Sequence, residues 1–512
     1  MNFNPVILSE AKHRCVFRRV AAFLILFCAL AWGQAPSQPQ PQPVPPASTG
    51  SENKQTETPV TKDAGPQKPG TTDSTAQPKI SPKEAEELFR SVDEILRFAS
   101  KDSGLPIKEK VQRRLTSRDE VVAYLQKSMA EDKDAQRLRR SELVLKKFGL
   151  LPPNFDLQSF LLALLREQVA GYYDVKSKTV NLLDWVDAEQ QKPVMAHELT
   201  HALQDQSFGL EKWMKAVDVD LDTKKQPTPE DFEKDEGLQA RQAVVEGEAM
   251  VVLLDYMLAP LGESLMSSRE LVDKLKDGML VGTASSPQFD NAPLYLKEAL
   301  TFPYRYGIDF MADVLTAKGK AGFADAFANP PRNTRNVMEP KTYLSGERLE
   351  PMPLPDFERA FKNYERFDLG SVGEFDLAII IDQFAGVDES HSLYPHWRGG
   401  YYYAARPKGD SAAPLGLLFV SRWKNPDAAA QFAAVYTKSL KARYKRATPV
   451  TGDGATETTP ATNSAGKHAW LTEQGPVIIE VREDIVFVSE SLDQPTTDEL
   501  ERQIFSASAK EK

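Results

Sequence analysis

Two histidines and the glutamate between them are the residues with the clearest chemical potential in this sequence. The segment PVMAHELTHALQDQ (193–206) contains His197, Glu198 and His201 in the order HExxH. Residues four apart lie on the same face of an α-helix, so both imidazoles can point at one metal ion. This is half of a tetrahedral zinc site. Glu198 lies about 100° around the helix from His197, where a carboxylate can take a proton from zinc-bound water.

The rest of the segment is typical of a helix with one buried and one polar face. The apolar residues have the spacing of a buried stripe: Met195, Leu199, Ala202 and Leu203. The polar stripe consists of His197, His201, Gln204 and Asp205. The chain has 6 histidines in 512 residues, so a chance HExxH is expected in roughly one such chain in a hundred or fewer. Two unrelated surface histidines are therefore the weaker interpretation.

A third metal ligand is expected from the helical pattern DEGLQARQAVVEGEAMVVLLDYM, which offers Glu246 and Glu248. Glu246 falls in an apolar stripe, where a buried carboxylate needs a cation. Periodicity alone does not decide, because valines also flank Glu248. Glu248 shares its helical line with Arg241 and Asp255, so a solvated or salt-bridged acid is its ordinary interpretation. We favour Glu246, in part because of the family resemblance described next, and keep Glu248 as the alternative.

HELTH followed by a helical glutamate in VVEGEA resembles the gluzincin zinc metallopeptidases. In several of them the ligand glutamate precedes Gly-x-Ala, as Glu246 precedes Gly247-Glu248-Ala249 here. More narrowly, the chain is similar to exported bacterial proteins with HELTHALQDQ, an EQVAGYYD-like segment (167–174) and a later FPY…G segment (302–307). The resemblance implies a zinc ion held by His197, His201 and Glu246, with Glu198 as the general base. Gly247 would let its helix approach the zinc helix closely.

Two parts of a gluzincin site are not settled by the sequence. Many gluzincins have an aspartate four residues after the ligand glutamate, which orients a ligand histidine, and Met250 occupies that position here. Asp205 can take this role, although we slightly favour its interpretation as a solvated or helix-ending aspartate. The donor that stabilises the oxyanion is also unassigned among five candidates: Tyr304, Arg305, Tyr306, His391 and His396.

The beginning of the chain has the pattern of an export signal. Residues 1–33 contain four basic residues before the apolar run VAAFLILFCALAW, which is short for a membrane span. We expect cleavage near Gly33 and a periplasmic or extracellular protein; a membrane contact is expected only if the leader is retained as an anchor. Both cysteines lie in the leader, so the exported chain would lack disulfides and thiol ligands. The net charge of −10 argues against a nucleic-acid partner.

The composition divides the rest of the chain into a linker and two folded regions. Residues 34–80 are rich in Pro, Gln, Ser and Thr and predict a disordered tether. Residues 81–350 are expected to form a zincin-like, mainly helical domain with a small sheet. It begins at the capping box Ser81-Pro82-Lys83-Glu84, and its N-terminal α/β part is either a structural subdomain or a removable prosegment. Residues 351–512 predict a smaller α+β domain, so the fold class is α+β.

Three local features of these regions complete the prediction. GYYDVKSKTVNLL (171–183) predicts a hairpin beside the zinc helix, which either holds substrate as an added strand or is a simple core hairpin. The segment 447–466 reads as a flexible insertion. An aromatic cluster can bind a polymer but is better explained as core: Trp397, Tyr401, Tyr402 and Tyr403.

Together these features predict an exported zinc metallopeptidase that acts on peptide or protein substrates. A peptidase-like binding or scaffold protein is the main alternative. It is disfavoured because a structural zinc site has no need of Glu198 and usually has a fourth protein ligand. An amidase acting on cell-wall peptides would share the mechanism and differ only in its substrate.

Overall fold

The first helix begins at the predicted capping box. In the computed structural model the Ser81 hydroxyl accepts a hydrogen bond from the Glu84 amide, and the Glu84 carboxylate accepts one from the Ser81 amide. The helix ends at Gly104, whose φ of 75° terminates it in the left-handed conformation. The structure describes residues 80–121, 123, 132–168, 171–217, 219, 221, 226–265, 287–450 and 466–508. The predicted leader, nearly all of the linker and residues 451–465 of the predicted insertion lie outside these ranges.

The described residues between 80 and 360 are mainly helical, as predicted. Its elements are α1 (Pro82–Ser103), β1 (Gln112–Thr116), α2 (Asp132–Phe148), α3 (Leu157–Gln168), β2 (Tyr172–Asp174), β3 (Thr179–Leu183), α4 (Ala188–Phe208), α5 (Leu210–Lys215), α6 (Pro229–Leu258), α7 (Pro287–Asp290), α8 (Leu294–Lys318), α9 (Ala321–Ala328), α10 (Thr334–Met338), α11 (Pro340–Leu344) and α12 (Phe357–Ala360). Of the long helices, α6 packs against both α4 and α8.

The small sheet joins the N-terminal segment to the predicted hairpin. Its strand order is β1-β3-β2, with β1 parallel and β2 antiparallel to β3. The hairpin is therefore confirmed, but its second strand is the central strand of the sheet. Because β1 supplies one of the two neighbours of β3, the N-terminal α/β part is built into the same sheet.

Helices α6 and α8 cross in backbone contact at two glycines. A Cβ atom on Gly247 would lie 2.3 Å from the carbonyl oxygen of Gly307, and one on Gly307 would lie 2.5 Å from that of Ala243. No real Cβ tolerates such distances, so both positions require glycine. The close approach expected at Gly247 exists, but its partner is α8 and not α4, the helix that carries His197 and His201. The glycine of the FPY…G segment is thus explained by packing.

The C-terminal region is a seven-stranded antiparallel sheet with helices against it. The strand order is β4-β5-β6-β10-β9-β8-β7. The elements are β4 (Tyr364–Ser371), α13 (Glu374–Ala385), α14 (Val387–Leu393), β5 (Trp397–Pro407), β6 (Gly416–Trp423), α15 (Pro426–Arg443), β7 (Ala447–Val450), β8 (Gly466–Thr472), β9 (Gly475–Arg482), β10 (Ile485–Glu490) and α16 (Gln494–Ser508). The predicted α+β class is confirmed.

Some of the predicted strand boundaries in this region are wrong. The largely apolar segment from Val477 to Ser491 predicts one strand in the sequence, but it forms two antiparallel strands, β9 and β10, because the chain turns at Glu483, whose φ is 54°. Residues 447–450 of the predicted insertion form β7, and Gly466 begins β8. The four aromatic residues from Trp397 to Tyr403 are buried, and the Tyr403 ring stacks on Phe357 and Phe361. Core packing is therefore the correct interpretation of this cluster.

The helical region and the large sheet share buried polar contacts. Asp235 of α6 accepts hydrogen bonds from the amide and hydroxyl of Ser371 in β4, at 2.9 and 2.6 Å. In the large sheet, Glu490 forms a salt bridge with Arg443 at 2.7 Å and lies 3.7 Å from Lys147 of α2. Burial alone would raise the pKa of Glu490, but Arg443 and Lys147 lower it to about 2. No helix within the described ranges has the length and apolar character needed to cross a membrane.

Candidate metal centre

The three predicted ligands meet between two helices. His197 and His201 project from α4 and Glu246 from α6, and all three side chains are buried. The Nε2 atoms of the histidines are 3.0 Å apart. Oε2 of Glu246 lies 3.2 Å from Nε2 of His197 and 3.5 Å from Nε2 of His201. The structure therefore brings together the ligand set favoured from the sequence.

This triangle has the size and chemistry of a site for a divalent metal such as zinc. Imidazole nitrogen and carboxylate oxygen are typical zinc ligands, and tetrahedral bonds of about 2.0–2.1 Å separate ligand atoms by about 3.3 Å. The three observed edges, 3.0, 3.2 and 3.5 Å, bracket that separation. The second carboxylate oxygen of Glu246 is buried and has no hydrogen-bond partner in the described part of the chain. The residues present therefore fit a divalent metal.

The electrostatics of the cluster also indicate a place for a cation. Burial raises the pKa of Glu246, yet the two imidazoles lower it to about 2, so the group is anionic at neutral pH. Burial lowers the pKa of His201, but the carboxylates of Glu246 and Glu198 raise it to about 9.

Glu198 lies beside the ligand triangle. It is 5% exposed, and its Oε2 accepts a hydrogen bond from the backbone amide of Tyr173 in β2 at 2.7 Å. Burial raises the pKa of Glu198, an effect that the two imidazoles oppose. A carboxylate with a raised pKa is suited to taking up a proton and passing it on. One oxygen of Glu198 is held by Tyr173, which fixes the direction of the carboxylate.

Asp205 connects the β2–β3 hairpin to α4. Its Oδ2 accepts a hydrogen bond from the Tyr173 hydroxyl at 3.0 Å and forms an ion pair with Lys178. Its Oδ1 accepts one from the Leu210 amide at 3.1 Å. The suggestion that Asp205 orients a ligand histidine is wrong, because Nδ1 of His201 faces Gln204 and Nδ1 of His197 has no hydrogen-bond partner in the described part of the chain. Tyr173 contacts α4 at two points two turns apart, so β2 lies along the helix at the site.

Gln204 was not recognised from the sequence as part of the site. Its Oε1 lies 2.9 Å from Nδ1 of His201, and its Nε2 donates to the Val245 carbonyl at 3.0 Å and to Oε2 of Glu248 at 3.1 Å. Its position three residues after His201, in the polar stripe of α4, was the available signal.

Glu248 is fully buried, so its interpretation as a solvated or salt-bridged acid is wrong. Burial raises the pKa of Glu248 well above its ordinary value, although the hydrogen bond from Gln204 lowers it. Its expected neighbours lie elsewhere: the Arg241 guanidinium packs 4.3 Å from the centre of the Trp213 ring, and Asp255 accepts a hydrogen bond from the Leu265 amide. Glu248 thus contacts the site through Gln204.

Of the five oxyanion candidates, Tyr304 has a described contact with a ligand. Its ring stacks on His197 with centroids 6.3 Å apart, and the residue is 8% exposed. Arg305 lies 3.8 Å from Glu298 and over the ring of Tyr306. The two remaining candidates follow α13: His391 packs against Tyr394, and His396 lies in the turn before β5.

The C-terminal part of the chain matches a known family model. Residues 362–501 match the model of a family described as a domain of unknown function, DUF8575. This range covers the large sheet and does not include the metal cluster. No curated protein matches the chain. A solved structure described as "a putative hydrolase with a novel fold" from Chloroflexus aurantiacus aligns with 53% of this chain and 92% of its own, at 14% identity and a TM-score of 0.32.

Proposed function

We propose that this chain is an exported zinc metallopeptidase of the gluzincin type, which hydrolyses peptide bonds in peptides or proteins. The observation that supports this proposal is the buried triangle of His197, His201 and Glu246 with the carboxylate of Glu198 beside it. Export is proposed from the leader-like pattern of residues 1–33. The substrate class is proposed from the resemblance of HELTH and VVEGEA to the gluzincins.

Each residue of the site has a defined task in this proposal. Nε2 of His197, Nε2 of His201 and the Glu246 carboxylate would hold the ion. Zinc held in this way is a Lewis acid that polarises a carbonyl and makes water acidic near neutral pH. Glu198 takes the proton of the attacking water and delivers it to the leaving nitrogen. The Tyr173 amide holds Oε2 of Glu198, so the carboxylate stays aimed during both proton transfers.

The composition of the cluster favours a catalytic over a structural zinc site. Within the described ranges, the cluster contains three potential ligating side chains, whereas a structural site usually has four. Both cysteines of the chain are at positions 15 and 28, far from the cluster in the sequence. Glu198 is buried at the edge of the cluster despite the cost of burying a carboxyl group. Three ligands with an adjacent base are what a hydrolytic zinc site requires.

Metal content provides the first test of this proposal. We expect about one zinc ion per chain in protein purified without chelator, because three ligands and one water satisfy tetrahedral zinc. Elemental analysis measures this directly. The variant His391→Ala is a matched control that should keep its zinc, since His391 packs against Tyr394, whereas His197→Ala should lose it. Protein that contains no transition metal and does not bind added zinc would refute the proposal.

A further inference from the structure

The hydrogen bonds of Gln204 fix the orientation of its side-chain amide. The backbone carbonyl of Val245 can only accept a hydrogen bond, so the group 3.0 Å from it must be the NH2 of Gln204. The same NH2 group donates to Oε2 of Glu248 at 3.1 Å. The amide oxygen of Gln204 therefore faces Nδ1 of His201 at 2.9 Å. Because this oxygen is an acceptor, Nδ1 of His201 must carry a proton.

A proton on Nδ1 has a direct consequence for the metal site. In a neutral imidazole only one nitrogen is protonated, so Nε2 of His201 is left with a lone pair. Nε2 is the atom that lies 3.0 Å from His197 and 3.5 Å from Glu246. Gln204 thus selects the tautomer of His201 that can bind a metal in the triangle.

The two ligand histidines differ in this respect. Nδ1 of His197 is buried and has no hydrogen-bond partner in the part of the chain that the structure describes. The other residue considered for this task, Asp205, is engaged by Tyr173, Lys178 and Leu210. Among the described contacts, Gln204 is therefore the residue that orients the ring of His201.

We propose that Gln204 is the positioning residue of the metal centre, which locks the ring of His201 and couples it to the helix that presents Glu246. The NH2 group of Gln204 provides this coupling, because it donates hydrogen bonds to Val245 and Glu248. These two residues lie on either side of Glu246 in α6. One side chain thereby fixes the separation of ligands from two different helices. This inference rests on the proposed zinc site and does not depend on peptide hydrolysis.

Zinc affinity tests the proposal without any assay of activity. Gln204→Met keeps the length of the side chain and removes its hydrogen bonds. Loss of a partner of a metal ligand typically costs about 10–100-fold in metal affinity, and we expect a weakening of this size in competition with a chromogenic chelator. The matched control is Gln190→Met, the same change at an exposed position of α4, which should bind zinc like the wild type. If Gln204 had a purely structural role, Gln204→Met would have a lower melting temperature without metal but the same zinc affinity as the wild type. That result would refute the proposal.

A measurement on the unaltered protein covers the case in which Gln204→Met does not fold. In zinc-loaded protein with ¹⁵N-labelled histidine, long-range ¹H–¹⁵N correlation shows which ring nitrogen carries the proton. We expect a slowly exchanging proton on Nδ1 of His201 with a nuclear Overhauser contact to the Gln204 side chain. A proton on Nε2 of His201, with the metal on Nδ1, would overturn the inference. A wild type that binds no zinc would overturn both this inference and the proposed function, whereas zinc binding without hydrolysis would affect only the latter.

Discussion

Replacing Glu198 by glutamine is expected to lower peptide hydrolysis by about 10²–10⁴-fold, the usual contribution of general acid-base catalysis, while zinc remains bound. Glutamine has nearly the same shape and can still accept the hydrogen bond from the Tyr173 amide. It cannot accept a proton from water at neutral pH. The three metal ligands are unchanged, so zinc content should equal that of the wild type.

The measurement is the turnover of a cleaved peptide by zinc-loaded wild type and variant, with metal content determined in both. Glu189→Gln provides the control, since Glu189 is an exposed glutamate on the same helix that pairs with Lys192. That variant should retain wild-type turnover. Equal turnover of Glu198→Gln and wild type at equal zinc occupancy would exclude Glu198 as the general base and contradict the mechanism proposed here.

The second large effect is expected at Glu246. Glu246→Gln replaces an anionic ligand with a neutral one in a buried site, so we expect zinc affinity to fall by more than about 100-fold. This loss exceeds the one that is typical when a residue hydrogen-bonded to a metal ligand is removed. Glu248→Gln should weaken binding by less than about tenfold, because its side-chain oxygen can still accept the hydrogen bond from Gln204.

Chelator competition measures the zinc affinity of both variants under the same conditions. The two glutamates are neighbours on one buried helix, 1% and 0% exposed, so general destabilisation should affect both variants similarly. A difference in zinc affinity therefore reports ligand identity. If Glu248→Gln lost zinc and Glu246→Gln kept it, the ligand role would belong to Glu248.

Features that depend on local spacing could be predicted from the sequence. Both histidines and Glu198 lie within five residues, and helical geometry alone determines how they face one another. The capping box of α1 and the hairpin β2–β3 are similarly local, and both are present. The α+β class followed from the change of pattern near residue 351.

Features that depend on contacts between distant segments could not be predicted. Gly247 was expected to approach the zinc helix, but its partner is Gly307, sixty residues later in the chain. Glu248 looked solvated because Arg241 and Asp255 share its helical line, yet the crossing of α4 and α6 buries it against Gln204. Periodicity shows which residues share a face and not which element covers that face.

The most direct test of the central claim is the hydrolysis of peptide bonds by the zinc-loaded protein. Purified protein is incubated in parallel with a peptide library and with cell-wall fragments, and the products are identified by mass spectrometry. We expect cleavage of internal peptide bonds in the library, lost on chelation and restored by added zinc. Cleavage of the cell-wall fragments alone would assign the site to an amidase. The absence of hydrolysis in both mixtures at full zinc occupancy would contradict the proposal that this site is catalytic.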